Sequence, residues 1–565
     1  MEENLKEKPV KPVKRLGELL LDQAVITENI LKEALAEQKV TRQRLGEVLV
    51  ERGFATAEQI NRALASQMET EVANISDYII LPEVTSLVTE EDARKFKIMP
   101  LFKSEDVLYI AMKNPNDVLA IDHLQRQSGL KIKTLLAAES EISWAIEQYY
   151  ETSGTVENIL ENISKEALGE AVKEQESSII KLVNLLIAKA VHDHASDIHI
   201  EPEINVVNVR FRIDGMLYKR YVLPKALQSA VTSRTKILAN LDISEKRLPQ
   251  DGRIRMRVEA REIEFRVSTC PTVHGENIVL RVLDKSGLVL GLESLGFPPE
   301  EFKKFKDMIS APYGILLVTG PTGSGKTTTL YSALQILNKD DVNIMTVEDP
   351  VEYEFMRMRQ VQVKPEIGLT FASTLRSFLR QDPNIIMVGE IRDLETAQIA
   401  VQAALTGHLV LSTLHTNDSP TTFTRIVDMG VEPFLVSTSL LGIVAQRLIR
   451  KICPKCKEEY TPTPETIDML GLKEKVSADV KFSRGKGCPS CNKSGYKGRV
   501  GIYEVLRNSP QIQELVLNKG SAEDIRRVAI KEGMRTLRDT AIEKMLSGLT
   551  TVEEVVRVTQ ELQTG

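Results

Sequence analysis

Residues 320–327 read GPTGSGKT, directly after the apolar run ILLVT and directly before TTLYSALQIL. A glycine-rich turn joining a buried strand to a helix admits few architectures, and this one matches G-x-x-x-x-G-K-[ST] in the flanking context that pattern needs. The glycines let backbone N–H groups close around phosphates, and the helix N-terminus adds its partial positive charge. Gly320, Pro321, Thr322, Gly323, Ser324, Gly325, Lys326, Thr327 and Thr328 are therefore candidate nucleotide-binding residues. Lys326 is placed to reach the β- and γ-phosphates and Thr327 to ligate Mg²⁺, which makes ATP and Mg²⁺ the expected cofactors.

The surrounding grammar agrees with a layered α/β domain. Beyond Gly296, short continuous apolar runs (ILLV, IMTV, IIMV, LVL) alternate with helical segments, the signature of a mostly parallel sheet covered by helices. Phosphoryl transfer also needs an acid near the metal and a group to orient water. The run IIMVGE ends in Glu390, and IMTVEDPVE supplies Glu348, Asp349 and Glu352. Acids at strand C-termini are where an open α/β sheet builds its site. His408 and His415 flank another strand in GHLVLSTLHTN. The longest uncharged stretch, Thr396 to Asn417, holds Gln398, Gln402, His408, Ser412 and His415, so it reads as soluble helix and strand rather than a membrane span.

The chain has 565 residues, enough for roughly three or four domains of ordinary size. Hydrophobic residues at 42% and charged residues at 27% exclude a low-complexity chain. A formal charge of −6 disfavours polyanion binding by the whole surface, so no nucleic acid partner is expected. The start MEENLKEKPVKPVKR has no apolar core of a secretory signal. Four of the five cysteines form two C-x-x-C pairs, Cys453/Cys456 and Cys488/Cys491, which predicts a closed structural tetrathiolate Zn²⁺ site in a reducing compartment, the cytoplasm. The fifth, Cys270, reads as a small buried hydrophobe.

The chain opens on a repeat. Residues 15–38 and 44–67 both begin R-L-G and share ten identities over 24 positions at a 29-residue offset. Thr27 and Thr56 are expected to cap the second helix of each unit. The organisation expected is a flexible tail (1–14) and an N-terminal regulatory or docking domain (15–150) that is mostly helical around the tandem repeat. A linker (151–176) with seven glutamates and two lysines follows, read as a solvated helix or a flexible tether, then a second, α+β domain (177–290) in which Ser178 precedes an amphipathic pattern of Ile179, Leu182, Val183, Leu186 and Ala190. A P-loop ATPase domain (291–565) with the cysteine insertion at 453–491 ends the chain.

The phosphate loop, TVEDPVE, LRQDPNIIMVGEIRD and TGHLVLSTLHTN, in that order, closely resemble the secretion ATPases of type II secretion and type IV pilus biogenesis. Upstream, ASDIHIEP, VRFRIDG, LPQDGRI and RVSTCPTVHGENIVLRVL are similar to the second N-terminal domain of that family. The resemblance implies a RecA-like core and the following roles. Glu352 is the catalytic base, Glu390 supports Mg²⁺, and His415 senses the γ-phosphate, with Lys326 on the phosphates. Arg210 reaches the nucleotide from the second N-terminal domain, and Arg376 and Arg380 match the pair in LRSFLRQDP. A further family arginine aligns with Lys225, which lacks the bidentate fork and is left out. The tandem repeats resemble a cyclic di-GMP-binding domain of the pilus assembly branch, with Arg15, Leu16, Gly17, Arg44, Leu45 and Gly46 as candidate contacts; the alternative is helical hairpins used only for docking.

Similar ATPases are hexameric rings at the cytoplasmic face of the inner membrane. They act on a PilC-like inner-membrane platform protein and a PilM-like cytoplasmic component, and are peripheral to the membrane through these partners. The expected function is a motor for type IV pilus assembly, with type II secretion as the alternative. Readings from other classes are a scaffold that binds nucleotide without turnover and a nucleic acid motor. The intact Lys326, Thr327, Glu352 and Glu390 speak against the first, and the acidic balance speaks against the second.

Overall fold

A computed structural model of the chain describes residues 15–67, 70–150, 172–258, 260–284, 291–473, 476–477 and 480–560. The expected tail at 1–14 and the linker up to residue 171 lie outside the described residues. The chain divides between residues 286 and 287 into two compact units.

The first unit begins with the repeats, which form α1 (Leu16–Asp22), α2 (Glu28–Thr41), α3 (Leu45–Glu51) and α4 (Ala57–Gln67). Helix α1 packs on α4 and α2 on α3, so each copy completes the other around Leu20, Ala34, Leu49 and Ala63. The glycines of R-L-G serve a different contact, between the two helices within each copy. A Cβ on Gly17 would lie 2.7 Å from Leu31 Cδ1, and one on Gly46 would lie 2.9 Å from Ile60 Cγ2, the same contact at the repeat offset. The Glu18 and Glu47 carboxylates accept the Arg15 and Arg44 backbone N–H at 2.9 and 3.0 Å. Thr56 and Gln59 form a reciprocal cap, whereas Thr27 takes the cap position without a side-chain hydrogen bond.

A three-stranded sheet (Ile98–Ser104, Val107–Met112, Lys131–Leu136) follows, with helices Val118–Ser128 and Glu139–Tyr150. Its core includes Ile98, Leu108, Ile110 and Leu124. The last sheet of this unit runs Tyr78–Ile79, Gln250–Val258, Arg261–Thr272, Gly275–Asp284, Ala195–Pro202, Val206–Ile213, Met216–Pro224. Its pairs are antiparallel except the first, where Tyr78 and Ile79 lie parallel to Arg257 and Val258. Helix Val172–His192 buries Leu182, Val183 and Leu186 in the same core as this sheet. Among the described residues the helix already runs from Val172, so Val172–Glu176 of the expected linker, mostly good helix formers, is helical. Cys270 corrects the sequence reading. On its strand Ile263, Phe265, Val267 and Thr269 point inward, so the two-residue period leaves Cys270 exposed.

The second unit is built on a sheet of order Met358–Gln362, Ile344–Glu348, Ile385–Val388, Leu409–Leu414, Gly314–Thr319, Leu440–Ile452, Tyr496–Arg507. All neighbours are parallel except the last pair. Both faces are covered. Ile315, Leu317, Ile386 and Val388 belong to one core, and Leu316, Val318, Ile385 and Met387 to another. That is why these strands read as unbroken apolar runs. The uncharged stretch resolves into helix Leu394–Leu405 and strand Leu409–Leu414, and no helix among the described residues is long and apolar enough to cross a membrane. Strand Leu440–Ile452 leads into the cysteine insertion, and helices Pro510–Leu517, Ala522–Lys531, Leu537–Leu546 and Val552–Gln560 close the unit.

Candidate active site and metal centre

Strand Gly314–Thr319 delivers the phosphate loop. At its end the buried Thr319 hydroxyl lies 3.0 and 3.1 Å from the Leu414 and Thr416 carbonyls and accepts the Thr416 N–H at 3.0 Å, tying the loop's root to the turn that carries His415. Gly320, Gly323 and Gly325 all have positive φ (143°, 78° and 92°), which other residues reach only with strain. Gly320 is further fixed by space, since a Cβ there would lie 2.4 Å from the Gln446 carbonyl. Helix Lys326–Leu337 starts at the end of the loop. The Lys326 ammonium lies on the loop carbonyls of Gly320 and Pro321 at 2.8 and 3.1 Å. Burial lowers its pKa to about 8, opposed by Glu390 and assisted by Arg447. Such a cation gains most from an anion brought to it.

Glu390 lies two residues beyond strand Ile385–Val388. Its carboxylate is mostly buried, 2.6 Å from Arg392 Nη2 and 3.1 Å from His415 Nε2. The glycine before it has a physical reason, because a Cβ on Gly389 would press on the Val347 carbonyl at 3.3 Å. Glu348 is 4% exposed and accepts from Tyr331, from Thr346 at 2.5 Å and from Gln360 at 3.1 Å. Glu352 is half-buried, with its backbone N–H 3.4 Å from the Tyr331 hydroxyl. His408 bonds the Ala403 carbonyl through Nδ1 at 2.8 Å, a helix-end contact that accounts for it structurally.

Three arginines singled out by the resemblance make contacts of their own. Arg376, on helix Phe371–Phe378, is exposed and paired with Glu395, while Arg380 donates to the Arg376 carbonyl at 3.1 Å. Arg210 belongs to the first unit, where it pairs with Glu201 at 2.7 Å. In the same unit Lys225 donates to the carbonyls of Glu203 and His274, joining two turns.

Sequence reasoning missed two residues. Gln446 is 1% exposed, and its amide holds Ser324 and Thr329 of the loop and helix. Its signal is a lone amide in the apolar run LLGIVAQRLI, since a buried polar group must find a partner. Tyr331 joins the loop helix to the acidic box, and nothing in TTLYSALQIL distinguishes it from a core aromatic.

The two cysteine pairs converge. The four Sγ atoms lie within 4.8 Å of one another, with 3.9 Å between Cys453 and Cys488, 3.9 Å between Cys456 and Cys491, and 3.7 Å between Cys488 and Cys491. A tetrahedron of Zn–S bonds of about 2.3 Å has edges of about 3.8 Å, so these residues fit a tetrathiolate. Burial raises the Cys491 thiol, but the Cys488 and Gly495 backbone N–H groups, at 3.2 and 3.4 Å, bring it down to about 6. In the repeats, Arg15 and Arg44 are exposed and Leu16 and Leu45 half-buried, while Gly17 and Gly46 are taken up by helix packing.

Residues 172–557 match the family described as Type II/IV secretion system protein, and residues 68–156 match the MshEN domain, a span that begins beyond the tandem repeats. A type IV pilus assembly ATPase, PilB of Myxococcus xanthus, is 46% identical over 558 residues, covering 96% of this chain and 98% of its own. The type II secretion system ATPase E of Vibrio cholerae is 49% identical over 388 residues, covering 69% and 76%. The X-ray structure of the Legionella pneumophila ATPase DotB shares the fold, with a TM-score of 0.50 at 22% identity over 67% of this chain and 95% of that one. A P-loop on a mostly parallel sheet, an α+β domain and a mostly helical repeat domain before it, and these matches together place the chain in the type II/IV secretion system protein family, as an ATPase with a RecA-like core.

Proposed function

We propose that this ATPase is the motor of type IV pilus assembly. The observation that carries the reading is a similarity to a pilus assembly ATPase that spans nearly the whole of both chains. In this reading Gly320 to Thr328 hold the phosphates of ATP, Lys326 neutralises the β- and γ-oxygens, and Thr327 and Glu390 hold Mg²⁺. Magnesium, when bound, would supply charge stabilisation to the phosphate groups. Glu352 takes the proton of the attacking water, His415 reports the γ-phosphate through its contact with Glu390, and Arg376 and Arg380 add positive charge. Six chains form the working ring at the cytoplasmic face of the inner membrane, acting on a platform protein embedded there. Zn²⁺ occupies the tetrathiolate, and cyclic di-GMP binds at the R-L-G repeats.

Type II secretion is the second reading, favoured by 49% identity over 388 residues to a type II secretion system ATPase. Glu352→Ala introduced in the source cell separates them. Loss of surface pili with intact exoprotein release supports the pilus motor. Normal piliation with exoproteins held in the periplasm assigns the chain to secretion. Normal behaviour of both removes the motor reading.

A further inference from the structure

The phenol of Tyr331 lies where the phosphate-loop helix meets the acidic box. It is four residues beyond Thr327, one helical turn along the same face, so whatever the hydroxyl touches is held at a fixed distance from the loop. The side chain is 2% exposed, with Phe355 edge-on to its ring at 5.0 Å and Tyr353 at 6.1 Å. The hydroxyl donates to the Glu348 carboxylate and faces the backbone N–H of Glu352 at 3.4 Å, with that of Tyr353 as a second donor.

Glu348 gives this contact its direction. Its other oxygen accepts from Thr346 and Gln360, so the carboxylate is occupied within the protein. The phenol's single proton is committed to Glu348, which leaves its lone pairs for the amides of the acidic box. Burial, and then the Glu348 charge, raise the phenol pKa well above its ordinary value, so the proton stays in place across the working pH range. Keeping a carboxylate 4% exposed merely to fill space is costly when a phenylalanine facing an apolar residue would fill the same volume.

We infer that Tyr331 is a positioning residue, whose hydroxyl, fixed by Glu348, holds the backbone of Glu352 in register with the phosphate loop so that the Glu352 carboxylate can address the attacking water. The inference rests on the reading of Glu352 as base. It sets two acids of the box in different roles, with Glu348 as a bracket and Glu352 as the working group.

The test uses the full chain, with steady-state turnover, binding of a fluorescent ATP analogue and thermal unfolding for Tyr331→Phe, Glu352→Gln and the double variant. Tyr331→Phe should lower kcat by about ten- to a hundredfold while KM and the nucleotide dissociation constant stay within about twofold. The double variant should be no slower than Glu352→Gln alone, since the tyrosine acts through the glutamate. Wild-type kcat in Tyr331→Phe, a loss that multiplies with that of Glu352→Gln, or a loss matched by weaker nucleotide binding overturns the inference. Wild-type turnover in Glu352→Gln instead rejects the base assignment, and the inference falls with it. If Tyr331→Phe does not fold, Glu348→Gln, which frees the phenol from its other side, should show the same kcat-only loss, and wild-type kcat there is equally decisive against it.

Discussion

The side-chain amide of Gln446 donates to the Ser324 carbonyl at 2.8 Å, and its oxygen accepts the Thr329 hydroxyl at the same distance. One side chain therefore spans the phosphate loop from its last turn to the first turn of its helix. The strand that carries it continues the pattern. Arg447 donates to the Asn417 side chain at 3.0 Å, two residues past His415, Arg450 grips Glu554, and the chain then enters Cys453. Nucleotide loop, histidine turn, C-terminal helix and metal centre are thus held along a single strand.

Replacing Gln446 with leucine keeps the volume but strands a buried carbonyl and a buried hydroxyl. A loss of about 2–3 kcal/mol in stability is expected, with roughly tenfold weaker nucleotide binding as the loop loses its brace. Urea unfolding and nucleotide titration of the same preparation check both. Unchanged binding would show that the loop keeps its shape without the glutamine.

What the sequence carried and what it did not follow from the range of each interaction. The loop, its strand and its helix are contiguous, and the phosphate-binding pattern is a local backbone requirement, so 320–328 could be read directly. The central strands announced themselves because both sheet faces are covered, leaving no polar alternation to confuse them with helices. Gln446 lies more than a hundred residues from Ser324, and Tyr331 meets Glu348 across a strand and a loop, so their partners exist only once the sheet is assembled. Cys270 shows the same limit at short range. Its burial depends on which face of the Arg261–Thr272 strand meets the core, and one step along the strand inverts the answer.

Metal should prove structural rather than catalytic. Among its described residues the insertion buries Leu470, Leu472 and Phe482 in the hydrophobic core. A tetrathiolate site can contribute about 10–16 kcal/mol of apparent binding energy to such a segment. Elemental analysis should find one zinc per chain in the wild type and none in Cys453→Ser with Cys488→Ser. In that variant amide exchange should rise by orders of magnitude across the insertion and remain slow in strand Gly314–Thr319. One equivalent of another metal, or equal protection in both proteins, would count against zinc.

Acid should loosen the C-terminal helix. Glu554 is fully buried and accepts from Arg450 Nη2 at 2.7 Å and Arg557 Nη2 at 2.8 Å. Burial alone would raise its pKa, but Arg557 and Arg450 hold it down at about 2 against an ordinary 4.5. A folded-state value below the unfolded one stabilises fully above about pH 4.5, and the contribution fades as the pH falls from there towards 2. On the order of 3 kcal/mol is at stake. Glu554→Gln should lose that stability at pH 7, and its deficit relative to wild type should shrink below pH 4.5. A deficit independent of pH would mean that packing, not charge, holds the helix.

The repeats separate recognition from packing residue by residue. Gly17 and Gly46 meet Leu31 and Ile60 of the following helices, whereas Arg15 and Arg44 are exposed at equivalent positions of the two copies. Arg15→Ala with Arg44→Ala should therefore change thermal stability by no more than about 0.5 kcal/mol while abolishing the heat of cyclic di-GMP binding in calorimetry. Gly17→Val should do the reverse at the level of the fold, since a branched side chain there drives into Leu31 and loosens the helix pair. No heat with the wild-type chain, or equal heat after loss of both arginines, would leave the repeats as a docking element.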